Sequence, residues 1–311
     1  MQGFIMELQT SLVYFINDGV LAGKAPTTLK AYQYSISSLF DYTKMQFLPQ
    51  VVETLNEELL AQFMVHGIKI RKWNKYTHWT MYKNLHVYFN WCVKKSLLTK
   101  NPLDSIEKPK MPRQPPKSLN EKEVKILLQT VANLPYKFHF TKFRNKALIC
   151  CLIFTGLRKS EIVNLRYTDV DLINGFITVE HGKGDKRREI PIEEKTLKPI
   201  LIEYDEYRSR LCKTSEWFFN GTFGGRGIND NKLAISTIDR LFRHISKLCN
   251  KHITCHKLRH TFATLLLEQT GDIYTLKELM GHSNISTTCI YLSSTRKKKI
   301  EVINKLSINT E

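Results

Sequence analysis

Five of the ten prolines in this chain, Pro102, Pro109, Pro112, Pro115 and Pro116, fall within fifteen residues. Each removes a backbone donor and fixes φ, so no continuous helix passes through the stretch. The cluster therefore cuts the 311 residues into two parts, each large enough for a domain of about 100–200 residues with its own core. The expected boundaries are 1–106, a proline-rich linker at 107–117, and 118–311. Upstream, apolar residues recur at helical spacing over Met6 to Asn17, Thr27 to Tyr42, Asn56 to Gly67 and Asn74 to Lys95. In the second stretch Leu29, Tyr32, Ile36, Leu39 and Phe40 share one face, which predicts an all-helical domain.

Downstream, Ser118-Leu-Asn-Glu121 reads as a capping box opening a helix toward Leu134. The apolar segment Ala147 to Phe154 leads through Thr155-Gly156 to a short helix, Lys159 to Leu165. Phe176-Ile-Thr-Val and Arg187-Arg-Glu-Ile-Pro-Ile alternate apolar and polar positions around Gly182-Lys-Gly-Asp-Lys186, which predicts a β-hairpin with a lysine near its tip. The remainder reads as helical, including Ser236 to Asn250, His256 to Gln269 and Tyr274 to Met280. The fold class is thus mainly α with a small antiparallel sheet.

Charge bounds the partner. Subtracting 29 acidic from 47 basic residues leaves +18, and such an excess points to a polyanion. From Lys69 to Lys100 the sequence has eight basic residues and no acidic one, interleaved with Trp73, Tyr76, Trp79, Tyr82, Tyr88, Phe89 and Trp91, so the charge is expected on a helix whose other face packs. Lys69, Arg71, Lys72 and Lys75 are the leading candidates for contact with nucleic-acid phosphates. The alternative is a solvated helix face. Arg240, Arg243 and Lys247, on one face of a later helix, and Lys186, in the hairpin turn, are further candidates. A hydrophobic content of 42% excludes a disordered chain. The longest apolar run, Ala147 to Phe154, is far short of the roughly 20 residues needed to cross a bilayer. Seven scattered cysteines without a C-x-x-C pair, and a start that lacks the pattern of a signal peptide, suggest a reducing cytoplasm.

Three local motifs carry the chemistry: Thr155-Gly-Leu-Arg-Lys-Ser-Glu161, His256-Lys-Leu-Arg-His-Thr-Phe-Ala-Thr264, and Leu279-Met-Gly-His-Ser-Asn-Ile-Ser-Thr-Thr-Cys-Ile-Tyr291. Together they resemble the tyrosine recombinase (phage-type integrase) family, in which an Arg, a hairpin Lys, His-x-x-Arg, a second His and a Tyr nucleophile act together. The matching positions are Arg158, Lys183, His256, Arg259, His282 and Tyr291, in the family's order. The resemblance covers the linker and nearly all of 118–293; the first domain matches only in length, helical character and charge. It is closest to simple two-domain Xer-like members.

The residue types suit the chemistry. A phosphodiester gains charge on its oxygens during attack, so fixed guanidiniums aimed at those oxygens supply stabilisation. A tyrosine hydroxyl of ordinary pKa about 10 needs help to lose its proton. The resemblance implies that Tyr291 forms a 3′-phosphotyrosine and that Lys183 protonates the leaving 5′ oxygen; Glu161, three residues after Arg158, is expected to orient the site without touching the substrate. The resemblance also implies a double-stranded DNA site as partner, self-association as a tetramer on two sites with a second recombinase or accessory protein as a further candidate partner, and no metal, nucleotide or other cofactor. Arg296-Lys-Lys-Lys299 with Ile300, Ile303 and Leu306 predicts a short tail helix that docks on its own domain or on a neighbouring protomer. Three other readings compete: a type IB topoisomerase, a non-catalytic DNA-binding regulator, and a metal hydrolase. The last rests on His256 and His260, spaced i, i+4 as in H-E-x-x-H, but Lys257 stands where the general base belongs.

Overall fold

The computed structural model describes residues 6–111, 117–180, 187–212, 214–222, 228–282 and 284–292. The chain forms two compact units, Met1–Gln114 and Pro115–Glu311.

The first unit is built from four helices: α1 (Leu8–Leu21), α2 (Pro26–Met45), α3 (Glu57–Lys69) and α4 (Lys75–Lys94). Pro26 at the first position of α2 needs no donor there, and Asn56 and Asn74 cap α3 and α4 by accepting the backbone N–H groups of Leu59 and Thr77. The apolar faces meet in a core of Leu12, Phe15, Ile36, Leu39, Leu60, Phe63, Leu85 and Phe89. Tyr88, fully buried in it, hydrogen-bonds Ser11 at 2.6 Å. The ring of Trp73 lies where a side chain at Gly67 would stand, which seats the α3–α4 connection against α3.

The second unit is centred on α6 (His139–Thr155), buried on nearly every side and packed by α5 (Glu121–Ala132), α8 (Leu197–Leu211) and α10 (Cys255–Thr270). Its core runs through Leu127, Leu148, Leu152, Ile162, Ile177, Ile190, Leu201 and Leu258. A three-stranded antiparallel sheet, β1 (Val170–Asp171), β2 (Phe176–Val179) and β3 (Arg188–Pro191), has the order β1-β2-β3, with Ile177 opposite Ile190 and Val179 opposite Arg188. A second pair is formed by β4 (Asn220–Thr222) and β5 (Ile228–Lys232). Short α7 (Lys159–Val163) follows α6, and α9 (Ile235–Leu248), α11 (Ile273–Met280) and α12 (Ser286–Cys289) complete the unit. The fold is mainly helical with small antiparallel sheets, as expected.

Three local expectations are corrected. The chain beyond the hairpin is not helical throughout, because β4 and β5 pair within it. The capping box of α5 begins at Asn120, not Ser118: Asn120 accepts from the Glu123 N–H and the Glu123 carboxylate accepts from the Asn120 N–H, both at 2.9 Å. The backbone of Leu119 is instead tied to Thr261 Oγ1 of α10 at 2.9 Å, so residues 118–119 belong to the approach and not to the helix. The basic window is also not carried on one helix. Among its eight cations only Lys75, Lys83 and Lys94 belong to α4, whose twenty residues span about 30 Å.

Candidate active site

Three turns of backbone bring the site together. At the end of α6, Gly156 adopts φ +62° and the ring of Phe262 occupies the space a side chain there would need. Only glycine meets both demands at low cost, and it reverses the chain so that Arg158 enters α7 at the mouth of a cavity of about 700 Å³. The N-terminus of α10, capped by Thr254, presents His256 to that cavity, with Arg259 one turn on. The third turn is Gly281, at φ +60°, which ends α11 and delivers His282. Arg158, His256, Arg259 and His282 thus share one cavity wall, with Lys159 and Arg243 at its margin.

The arginines are braced by oxygen acceptors. Arg158 donates from Nη1 to Glu161 Oε1 at 2.6 Å and from Nη2 to the Gly281 carbonyl at 3.2 Å. Buried Arg259 donates to the carbonyls of Gly156 and Met280 and lies 3.1 Å from His282 Nε2. Burial and the neighbouring Arg158 lower the Arg259 pKa to about 10, which still leaves it charged near neutrality. The other imidazole nitrogen of His282, Nδ1, lies 2.9 Å from Thr288 Oγ1, so the ring is fixed at both ends. Burial, then Arg259 and Arg158, push His282 down to about 4, and the ring is neutral at physiological pH.

Tyr291 is buried with Phe262, Ala263, Leu267, Leu276 and Met280. Its hydroxyl stands 2.6 Å from Nδ1 of His260. That imidazole meets the His256 ring edge-on, with centroids 4.1 Å apart. Burial, His256 and Arg259 hold His260 near 4, and burial raises the Tyr291 hydroxyl above its ordinary value although Arg259 opposes the rise. A neutral acceptor and a reluctant acid therefore face each other. His256 is likewise lowered, by burial and then by Arg259.

Glu161 bonds both Arg158 and Arg188 through its carboxylate. Burial alone would raise its carboxyl, but hydrogen bonds from Arg188 and Arg158 outweigh burial and hold it below the carboxylate range. Lys183 and Lys186 lie outside the described residues, as does the tail from Arg296 to Leu306. In the first unit Arg71 donates to Ser38 Oγ on α2, while Lys69, Lys72 and Lys75 are exposed around the α3–α4 connection. Lys95 pairs with Asp18 at 2.9 Å. Arg240, Arg243 and Lys247 are all exposed on α9, opposite its buried Ile238, Phe242 and Ile245.

Two residues of the site do not stand out in the sequence. His260 enters there only as half of a metal pattern, although 256, 259 and 260 fall at i, i+3, i+4 on one helix face. Arg188 shares the inward face of β3 with Ile190, a two-residue period that places a charge among core positions. Among the described residues no group of three or more His, Cys, Asp or Glu is placed to hold a metal ion, and no helix is long and apolar enough to cross a membrane.

Residues 117–298 match the phage integrase family. The tyrosine recombinase XerA of Pyrococcus furiosus is 32% identical over 288 residues, covering 93% of this chain and 91% of that protein. Among solved structures, the XerH recombinase bound to palindromic difH in a post-cleavage complex superposes with a TM-score of 0.72 at 21% identity, covering 89% of this chain and 79% of that one. A lambda integrase dimer bound to a COC′ core site gives 0.71 at 19% identity, covering 92% and 77%. A family match over more than half of the sequence, and a relative this similar along nearly the whole of it, agree with the arginine and histidine arrangement around Tyr291: the chain belongs to the phage integrase family and is a site-specific tyrosine recombinase of the Xer-like type.

Proposed function

We propose that Arg158 and Arg259, the latter oriented by His282, hold the scissile phosphate and that Tyr291 attacks it. The observation that carries this assignment is the joint placement of Arg158, Arg259, His256 and His282 on one cavity, with the Tyr291 hydroxyl tied to His260 directly behind His256. The guanidiniums face the phosphate oxygens as these gain charge, and His282, whose Nε2 accepts from Arg259 Nη2, orients that guanidinium. With His260 protonated on Nε2, the Tyr291 hydroxyl donates to Nδ1. As the Tyr291 oxygen bonds to phosphorus, its proton passes to His260 and the bond from phosphorus to the 5′ oxygen breaks. Lys183 supplies the proton to that oxygen, leaving a 3′-phosphotyrosine and a 5′-hydroxyl. Attack by a 5′-hydroxyl of the partner strand reverses the steps and exchanges strands.

Double-stranded DNA is the partner. The XerH and lambda integrase structures are DNA complexes, the latter of a dimer. By analogy four copies of this chain act on two sites, with a second recombinase or an accessory protein as a further candidate in the synapse, and act on nucleoid DNA in the cytoplasm. The domain limits 1–106, 107–117 and 118–311 serve this reading, with Lys69, Arg71, Lys72, Lys75, Lys186, Arg240, Arg243 and Lys247 touching the phosphate backbone. The duplex that the protein selects from a random-sequence pool, nicked beside the cleavage point, traps the covalent adduct. Wild type is expected to give a slow-migrating protein–DNA band on denaturing gels, and Tyr291→Phe to bind the duplex but give none. A band from Tyr291→Phe would assign the nucleophile elsewhere.

A further inference from the structure

The last turn of α11 ends in three consecutive carbonyls, those of Leu279, Met280 and Gly281, and each is held by a different arginine. Arg188 donates from Nε to Leu279 O at 2.9 Å, Arg259 from Nη2 to Met280 O at 2.6 Å, and Arg158 from Nη2 to Gly281 O at 3.2 Å. Carbonyls at a helix C-terminus carry partial negative charge and lack partners within the helix, so cations suit them. Arg158 and Arg259 also hold the scissile phosphate. The third arginine, Arg188, has no such part. It is only 9% exposed and reaches the site from the first position of β3.

Arg188 also grips Glu161. It donates from Nη2 to Oε2 at 2.7 Å and from Nη1 to Oε1 at 3.1 Å, a two-pronged pairing in which Oε1 is shared with Arg158. Glu161 is 5% exposed, so its charge is answered by these two guanidiniums and the Arg158 backbone N–H. Take Arg188 away and the whole carboxylate falls to Arg158, which is then drawn back from the cavity. The same loss frees the carbonyl two residues before Gly281, whose conformation aims His282. Gly281 records the tightness of the fit: a Cβ there would stand 2.9 Å from Arg188 Nη1.

We propose that Arg188 is a positioning residue for strand cleavage: by neutralising Glu161 and pinning the end of α11, it keeps the Arg158 charge turned toward the phosphate and the His282 ring against Arg259. The proposal rests on the assignment of Arg158, His282 and Tyr291 above. Arg188 touches no reacting atom and acts through its neighbours. Its arrangement resembles a buried ion-pair network in which removing one member leaves an uncompensated charge.

The test uses full-length protein and the nicked duplex selected by wild type, in two forms: an ordinary phosphodiester, and a methylphosphonate at the scissile position, which lacks one anionic oxygen. On the diester, Arg188→Met is expected to lower single-turnover cleavage about 100-fold, the scale of a 1 Å misplacement at a catalytic group, with DNA affinity held within about threefold. On the methylphosphonate, which asks less of Arg158, the gap to wild type should shrink at least about tenfold. Arg188→Lys keeps the charge but not the fork, so it should fall between the two. Glu161→Gln combined with Arg188→Met removes both charges and should recover part of the diester activity, and it serves as the folded control if Arg188→Met fails to fold. Equal losses on both substrates, or no recovery in the double variant, would overturn the proposal, as would an Arg188→Met protein that cleaves the diester like wild type. An adduct formed by Tyr291→Phe defeats the underlying assignment, and so separates its failure from that of Arg188.

Discussion

At the residue scale, the pairing of Tyr291 with His260 turns two individually ordinary side chains into a donor and an acceptor matched for one proton. The hydroxyl is harder to ionise than a free tyrosine because it is buried, and the imidazole is kept neutral for the same reason. Neutrality fixes the sign of the pH dependence. A histidine held near 4 in the folded chain stays an acceptor as the pH falls through the ordinary histidine value of about 6.5, so proton acceptance by wild type persists through that range and is lost only on approach to 4. His260→Phe removes the acceptor; single-turnover cleavage should drop about 10²- to 10⁴-fold, the usual contribution of a general base. It should then rise with pH, about tenfold per unit, because direct ionisation of the hydroxyl becomes the only route. His260→Gln, which keeps an acceptor atom, should retain more activity than His260→Phe at neutral pH. A flat pH profile for His260→Phe would show that the proton leaves by another path. Arg158, Arg259, His282 and Tyr291 are legible in the sequence because they lie in ordered local motifs. His260 and Arg188 are not: His260 fits a metal pattern only in part, and Arg188 resembles any polar residue of a surface strand until the register turns it inward.

At the element scale, the four helices of the first unit and α5, α7, α9, α10 and α11 of the second are legible to within a few residues, since a buried stripe repeating at 3.6 residues leaves a clear trace, whereas the first two turns of α6 and the whole of α8 are not singled out. Even α9, with three cations, alternates them with Ile238, Phe242 and Ile245. The β4–β5 pair is hidden for the opposite reason: Asn220-Gly-Thr and Ile228-Asn-Asp-Asn-Lys have no apolar alternation, and their pairing is supported by contacts beneath, such as Arg144 Nη1 to Asn220 O at 3.1 Å. The basic window reads as one helical face because composition does not reveal which residues leave a helix. Lys69 closes α3, Lys72 sits in the connection at φ 55°, and Lys75 opens α4, so these cations gather at one end of two helices, where the N-terminus of α4 adds its own positive dipole. Charge reversal at Lys72 and Lys75 should therefore weaken binding to all duplex sequences alike and flatten the salt dependence, each lost phosphate contact lowering the slope by about 0.9. Binding isotherms at several salt concentrations measure that slope; an unchanged value would return these lysines to the solvent.

At the scale of the whole molecule, the two units divide the work along the line that the prolines draw. The first carries exposed cations around an aromatic core, and the second builds a chemical site from the ends of α6, α10 and α11, with α10 packed on both of the others. The proline cluster and the charge excess are legible at this scale because both are properties of composition. The gathering of three arginines on one helix end is not, because it depends on contacts between residues far apart in sequence, 123 positions for Arg158 and Gly281 and 91 for Arg188 and Leu279.

The place of Tyr291 has a consequence for assemblies of unlike subunits. Its ring rests among Phe262, Leu276 and Met280 of the chain that also supplies Arg158, Arg259 and His260. Among the described residues, one chain thus brings Arg158, Arg259, His260 and Tyr291 together by itself, and on the proposed assignment each protomer would cleave with its own tyrosine. Two crippled proteins, one carrying Tyr291→Phe and the other Arg158→Ala, should not mend each other when mixed. Adduct formation on the nicked duplex should stay at the level of the better parent at every mixing ratio, and in titrations of wild type with either variant the yield should fall in straight proportion to the wild-type share. Activity regained in the mixture would mean that the nucleophile crosses from one subunit to its neighbour, and that inheritance of a defect is shared where the structure keeps it private.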